Sequence, residues 1–552
     1  MKKFTLGMLA SLLLSFCPLW AQQVQKIDPK VEVQRDYEGG IVEITKPKPS
    51  IVVPDSISKF SITMDYSIFD MPFHDLYSFA PLPFIHLSAT GKERLPNVHI
   101  RLGLLMPFSP RADLFVQAPL SGSSALLLTA QHQSFFGKLP RFQQDEKTSA
   151  RIIQNPIDMR YLLFSPKVHF QMGGGYETDS YRRSFTLDTM SHVFNRYKAN
   201  ISLSSPKSAL PGTEWAFSFN WSLLEDEAKF WESPSMVAFK ENLIRFKGGV
   251  GIRSHPDQIF GFTLSGSFAN HLSSSVLDRG VYAINPYYQL LKQRLHLQIG
   301  VVISGIHNDI ESKRINDISL YPKFEVSYQI VPNSLSGYAH IGGEDRFNDY
   351  QSILSQNRWL SKEIELSSSH INWDIQMGIK GKAVKHLGYH LFGQYSQTDN
   401  QYYFTNIAAP SPEKDDLYAL TYTDEDRFSA GVELSWNTSP LSFHFLAKLH
   451  SYSLYSGGPA LYRPKTEINL SARYQWRERI IISTESVFRG LVPTPDGEIN
   501  GFLDIGLQLE YRFASWFGLY LEGKNLLNAE KQYYLCYLDP GMRLGGGITV
   551  RF

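Results

Sequence analysis

The sequence predicts an all-β protein: a transmembrane antiparallel β-barrel of about 22 strands, with long extracellular loops and short periplasmic turns. Three observations carry this expectation. Segments that alternate apolar and polar residues recur along the 552-residue chain, the connections between them alternate between tight turns and long polar stretches, and an export signal at the start is matched by an amphipathic strand ending on Phe552.

The signal is Met1–Ala21: Lys2 and Lys3, an apolar run from Phe4 to Phe16, and a close at Leu19-Trp20-Ala21. The processed chain is expected to begin near Gln22. Phe16 ahead of Cys17 and Pro18 after it count against lipidation at that cysteine. With Cys17 removed only Cys536 remains, which excludes an internal disulfide framework and a cysteine-based metal cluster. The 54 Lys and Arg balance 53 Asp and Glu, so bulk charge offers nothing to nucleic acid, and none is expected as a partner. Beyond the signal no run reaches the roughly 18 apolar residues of a spanning helix. Barrel strands need no such run, because lumen-facing side chains dilute the apolar signal by half. A large soluble β-protein is the competing reading, against which stand 29 Tyr and 36 Phe, enough for interfacial girdles.

Gln22–Ser58 is polar, carries Pro29, Pro47, Pro49 and Pro54, and lacks a core pattern, so it is expected to be a periplasmic or lumen-lining tail. The barrel is expected over 59–552. Its first strand reads Phe60, Ile62, Met64, Tyr66 and Ile68 on one face and Ser61, Thr63, Asp65 and Ser67 on the other. Trp215, Phe217, Phe219, Trp221 and Leu223 form a second apolar row, backed by small polar residues. Ile244, Phe246, Val250 and Ile252 then turn through 254–258 into Phe260, Phe262, Leu264 and Phe268, a hairpin. Leu295 to Ile303, Phe324 to Tyr328, Trp373 to Ile379, Leu387 to Tyr395, Phe428 to Trp436 and Leu503 to Tyr511 repeat the period. Met71–Gly91 and Lys138–Asn155 fit it poorly.

Connection length separates a barrel from a sandwich. Short turns are expected at Ser254–Gln258, Leu291–Arg294, Pro332–Ser334, Lys382–His386, Asn437–Pro440, Arg477–Arg479 and Ala514–Trp516. Long polar connections are expected at Asn308–Ile318, Gly343–His370, Gln397–Arg427, Ser451–Lys465, Gly490–Asn500 and Leu526–Gly541. Tight turns at one end and long loops at the other match periplasmic and extracellular rims.

The last strand, Met542 to Phe552, places Leu544, Ile548, Val550 and Phe552 on one face, and such an end resembles the signal read by the outer-membrane barrel assembly machinery. Upstream, Gly523-Lys524-Asn525-Leu526-Leu527-Asn528, Tyr533-Tyr534 and Pro540-Gly541 resemble the closing motif of TonB-dependent receptor barrels. The resemblance implies an outer-membrane location in a Gram-negative bacterium and a role in solute passage or binding. The chain departs from that family in leaving only Gln22–Ser58 where a plug of well over a hundred residues is usual. Val31 to Glu38 followed by Phe60–Phe69 is similar to the openings of plug-less, receptor-like barrels of Bacteroidota. Asp55-Ser56-Ile57 resembles a short O-glycosylation acceptor of those bacteria, and reads equally as a turn.

No nucleophile with its base, phosphate loop or metal-ligand spacing is present, so neither an enzyme nor a cofactor is expected. Gly173–Gly175 and Gly545–Gly547 lie in strand patterns with no following helix, and His386 and His390 flank a turn. The candidate functional residues are charges expected to face the lumen: Arg245, Lys247, Arg253, Lys323, Glu325, Lys380, Glu433, Lys448, Glu485, Asp504, Glu510 and Arg512. Facing lipid would cost several kcal/mol each. They line a polar permeation path, or they pair across the lumen and with the tail to hold the barrel. Lys229-Phe230-Trp231 and Gln401-Tyr402-Tyr403-Phe404 read either as contacts for a solute or partner protein, or as the interfacial belt. Outer-membrane lipid and, during biogenesis, the assembly machinery are the expected partners, with other outer-membrane or periplasmic proteins as further candidates. The alternative to transport is a barrel that scaffolds an assembly or export complex through its loops and tail.

Overall fold

The structure, a computed structural model, describes residues 97–552 apart from 142–143, 185–188, 207–211, 227–238, 272–275, 311–312, 333, 362–363, 407–417, 478 and 536. The signal, the tail, the alternating stretch Phe60–Ile68, the segment Met71–Gly91, Lys229-Phe230-Trp231 and Cys536 all lie outside the described residues.

Twenty-two strands pair in one antiparallel sheet, each with its neighbour in the chain. The first, Val98–Met106, pairs with Ser109–Ser121 on one side and with the last, Arg543–Arg551, on the other, so the sheet is a closed ring with no free edge. Closure is exact at the terminus: Phe552 N–H donates to Val98 O at 2.9 Å and Val98 N–H donates to Phe552 O at 3.1 Å. Two glycines permit this seam. A Cβ at Gly545 would lie 2.0 Å from Leu104 O and one at Gly547 1.9 Å from Leu102 O, so only glycine admits the neighbouring backbone. Lys138–Asn155, for all its irregular spacing, lies within Ser124–Arg141 and Gln144–Phe164.

The apolar rows read from the sequence point away from the bore. Ile252, Phe260, Phe262, Leu264, Met377, Phe428 and Leu507 are exposed on the outer surface. Their strand neighbours on the other face, among them Glu241, Gln508 and Glu510, are buried. An outer face this apolar is matched by hydrocarbon rather than by water.

At the end of the ring holding Phe552, no connection between strands exceeds seven residues, and all seven expected tight turns lie there. The opposite end carries 347–368, 407–417, 455–465, 490–501 and 525–542. Asn308–Ile318 is a correction: Leu295–Ile310 and Lys313–Val331 run straight through it and leave only 311–312 as the connection. The strands outgrow the apolar band there, because cross-strand hydrogen bonds need no greasy side chain once the sheet emerges into water. The same extension trims the expected loop Gln397–Arg427 to 407–417, between strands Leu387–Asn406 and Tyr418–Asn437.

An apolar core lies inside the ring, toward the long-loop end. Phe135, Ile152, Tyr181, Leu224 and Phe239 from one arc of strands meet Tyr350, Ile353, Leu354 and Leu360 of the connection 347–368, and Tyr402, Phe404 and Tyr418 from another arc close the cluster.

Candidate functional site

The site is the bore and the segment folded into it. Asp349 starts the helix Tyr350–Gln356: its carboxylate accepts from Ser352 N–H at 2.9 Å and from Ser352 Oγ at 2.7 Å. The wall completes the cap. Glu241, fully buried on Phe239–His255, accepts Tyr350 N–H at 2.8 Å and Gln351 N–H at 3.0 Å, while its Oε1 lies 2.9 Å from His271 Nε2. A carboxylate at a helix start meets the unpaired amides and the positive end of the helix dipole. Arg245 Nη2 reaches Asp349 at 2.5 Å, Arg279 Nη1 donates to Asn348 O at 2.9 Å, and Tyr350 Oη donates to Asp226 at 3.1 Å.

The far side of the segment is held by the opposite arc. Tyr402 Oη donates to Gln356 Oε1 at 2.8 Å, and the backbones of Trp359, Ser361 and Tyr418 exchange two hydrogen bonds. The connection 525–542 folds onto the same core: Tyr534 Oη donates to Gln356 O at 2.9 Å, and Tyr537 stacks on Trp359 with centroids 3.9 Å apart. The two connections thus form a cap across the bore, packed like a small protein core. Beside the stack is a cavity of about 30 Å³, bounded by Tyr181, Arg358, Trp359 and Tyr537, with room for a water but not a solute.

Within Gln401-Tyr402-Tyr403-Phe404, Tyr402 and Phe404 pack into this cap and Tyr403 donates a hydrogen bond to Glu425 of the next strand. The run is buried in the strand Leu387–Asn406, after a bulge where Asn400 takes φ 58°, so these rings are neither a belt at the membrane surface nor an exposed contact. The closing motif is explained by backbone geometry. Asn525 and Asn528 sit at φ 48° and 50°, a conformation asparagine tolerates, and their side chains bind both ends of the connection: Ala529 N–H to Asn525 Oδ1 at 2.9 Å and Met542 N–H to Asn528 Oδ1 at 2.9 Å.

All twelve candidate charges share the face opposite the apolar outer rows. Three are tied to the wall or cap at its rims: Arg245 to Asp349, Arg253 to Glu214 at 2.8 Å, and Asp504 to Lys531 at 2.7 Å. Glu433 lies 3.2 Å from His390 and 2.9 Å from His444, and Lys323 lies 3.6 Å from Glu325. Lys380 stands over the Tyr338 ring, and Glu510 receives Arg551 at 2.5 Å and Arg512 at 3.5 Å. Lys247, Lys448 and Glu485 form no ion pair among the described residues. His386 is held in its turn by Asn437 O, apart from His390. The structure does not gather the twelve into one pocket; they are spread along the wall, below the cap and around the ring. The cap residues Asp226, Glu241, Asp349, Tyr350 and Trp359 escaped sequence reading, and the one signal for them was Asp349 three residues ahead of Ser352 inside a connection too long for a plain loop.

No protein-family model matches the chain, and no curated protein matches it in sequence. Solved structures match its fold. The copper transporter OprC shares 12% identity over 83% of this chain and 81% of its own, with a TM-score of 0.61. The FrpB iron transporter from Neisseria meningitidis shares 8% identity over 84% of this chain and 83% of its own, at 0.63. A ferric enterobactin receptor of Pseudomonas aeruginosa, PfeA, gives 10% identity, 83% and 82% coverage and 0.59. These structural neighbours are barrels of TonB-dependent receptors, and the chain shares their 22-strand architecture.

Proposed function

We propose that the chain is an outer-membrane barrel that admits or binds solutes, and that the connection 347–368 supplies the occlusion for which a receptor of this architecture uses a plug. The greasy outer face and the end built of tight turns support insertion in the outer membrane, with the short turns on the periplasmic side. The likeness to metal and siderophore transporters supports solute traffic, without specifying the solute. The observation that carries the proposal is the cap: a segment docked through buried charged contacts at Glu241 and Asp349, directly above a wall of ionised side chains. Polar fastening lets such an element leave as a unit, since its charges regain water when it goes.

The test is conductance of the purified barrel in a planar bilayer, intact and with 348–368 replaced by a short glycine-serine turn. The intact protein is expected to be closed or rarely open, and the replaced one to conduct continuously. A different class of function, the non-transporting scaffold, is favoured by the tightness of the same cap. It would leave both forms silent and bring stoichiometric partners from native outer membranes.

A further inference from the structure

We propose that the periplasmic mouth of the bore carries a binding station for small oxyanions, built from Arg101, Arg473, Arg512 and Arg551 around Glu510. The assignment of this mouth to the periplasm, and of the ligand to traffic through the bore, rests on the function proposed above. The station itself rests on the geometry.

Four strands bring these side chains together. Arg101 on Val98–Met106 and Arg551 on Arg543–Arg551 lie on one face of the seam, diagonal to each other and two residues apart in register: Arg101 opposes Thr549 and His99 opposes Arg551. Arg512 and Glu510 lie on Phe502–Arg512, and Arg473 on Thr466–Trp476 is level with Gln508 of that strand, since Ser483 is the register partner of both. Every one alternates with an exposed apolar residue, Leu102, Tyr474 and Tyr511 among them, and so points into the bore.

The charges there do not balance. Glu510 is shared by Arg551, Arg512 and the Thr549 hydroxyl. Arg101 and Arg473 have no hydrogen bond or ion pair among the described residues, and Arg101 Nε is enclosed with no acceptor. The nearby carboxylates are engaged: Asp113 by Arg111 at 2.8 Å, and Glu522 by Arg111 and Lys524. Arg101 is nevertheless held in place, its guanidinium 4.9 Å over the Tyr520 ring, whose hydroxyl fills the space a side chain at Gly103 would need. Four guanidiniums against one carboxylate leave an excess of three positive charges on a fixed wall. Planar guanidiniums with free donors pair best with the forked oxygens of carboxylates and phosphates. A chain that merely lined its bore with solvated charge would not need to stack one of them on an aromatic ring.

The experiment is titration calorimetry of the full detergent-solubilised protein with citrate and with inorganic pyrophosphate, at fixed ionic strength. Saturable binding of at least one probe is expected, weakened tenfold or more by Arg101→Gln with Arg473→Gln, and unchanged by Lys292→Gln in the exposed turn 292–294 on the opposite arc. Heat-modifiable gel mobility reports folding. If the double variant does not fold, Arg473→Lys keeps the charge and removes the fork, and a loss of at least threefold is then expected. Absence of saturable binding by either probe, or equal affinity in the folded variants, overturns the proposal. Binding in a barrel that never conducts would refute transport and leave the station standing.

Discussion

Glu241→Gln isolates the fastening of the cap. The carboxylate has no exposure and accepts two backbone amides of the helix Tyr350–Gln356 and faces His271, through oxygens at 2.8, 3.0 and 2.9 Å. Glutamine keeps the volume but offers one acceptor where two are needed, and turns its amide nitrogen toward a backbone N–H. Each hydrogen bond to a charged group is worth about 1.5–3 kcal/mol, and a buried donor left without an acceptor costs about 1–3 kcal/mol. Losing one such bond and stranding one donor should therefore weaken docking by about 3–5 kcal/mol. At about 1.4 kcal/mol per tenfold, the undocked fraction rises roughly 100- to 4000-fold. Hydrogen exchange followed by mass spectrometry reads this directly, since the amides of 350–356 should exchange faster by that factor while the strand Phe239–His255 keeps its protection. Exchange in the segment within threefold of the wild type would refute the reasoning, because it would mean that the apolar core alone holds the cap.

Two further outcomes test the ring. Gly547→Val sets a branched side chain against Leu102 O, and the seam should fail: less than half of the protein should show the heat-modifiable mobility of a folded barrel, whereas Gly122→Val, in a turn with open space, should assemble normally. Leu507→Arg puts a cation on the lipid face at a cost of about 2–4 kcal/mol near the midplane, while Glu485→Arg stays on the wet wall. Urea unfolding in lipid vesicles should separate the two by at least 2 kcal/mol, and equal stabilities would reverse the assignment of faces.

The barrel was legible because its strongest physical constraint is local. A strand between lipid and a wet bore must alternate, and Phe260, Phe262 and Leu264 announce this without any partner in view. Turn length was equally readable at the end of the ring holding Phe552. Asn308–Ile318 misled because polarity marks exposure to water and not the end of a strand; Ile318 and Leu320 are highly exposed within a regular ladder. The cap was hidden for a different reason. Its partners lie far apart in the chain, Glu241 with Tyr350 and Gln356 with Tyr534, and no periodicity connects them. Tyr402 and Phe404 looked like exposed aromatics because nothing in their own neighbourhood tells that another loop will cover them. The arginines at the seam were passed over in part because Arg101 and Arg551 sit at opposite ends of the sequence.

The seam between the first strand and the last also sets a chronology. Since Val98–Met106 finds its second partner only in Arg543–Arg551, the sheet cannot close into a cylinder until Arg543–Arg551 has joined it. The connection 347–368 meets strands on either side of itself in sequence, so it can settle into the concave sheet before the last strand arrives. The segment is then enclosed as the wall zips shut around it, so that in the proposed transporter the bore forms with its stopper already inside rather than being blocked afterwards.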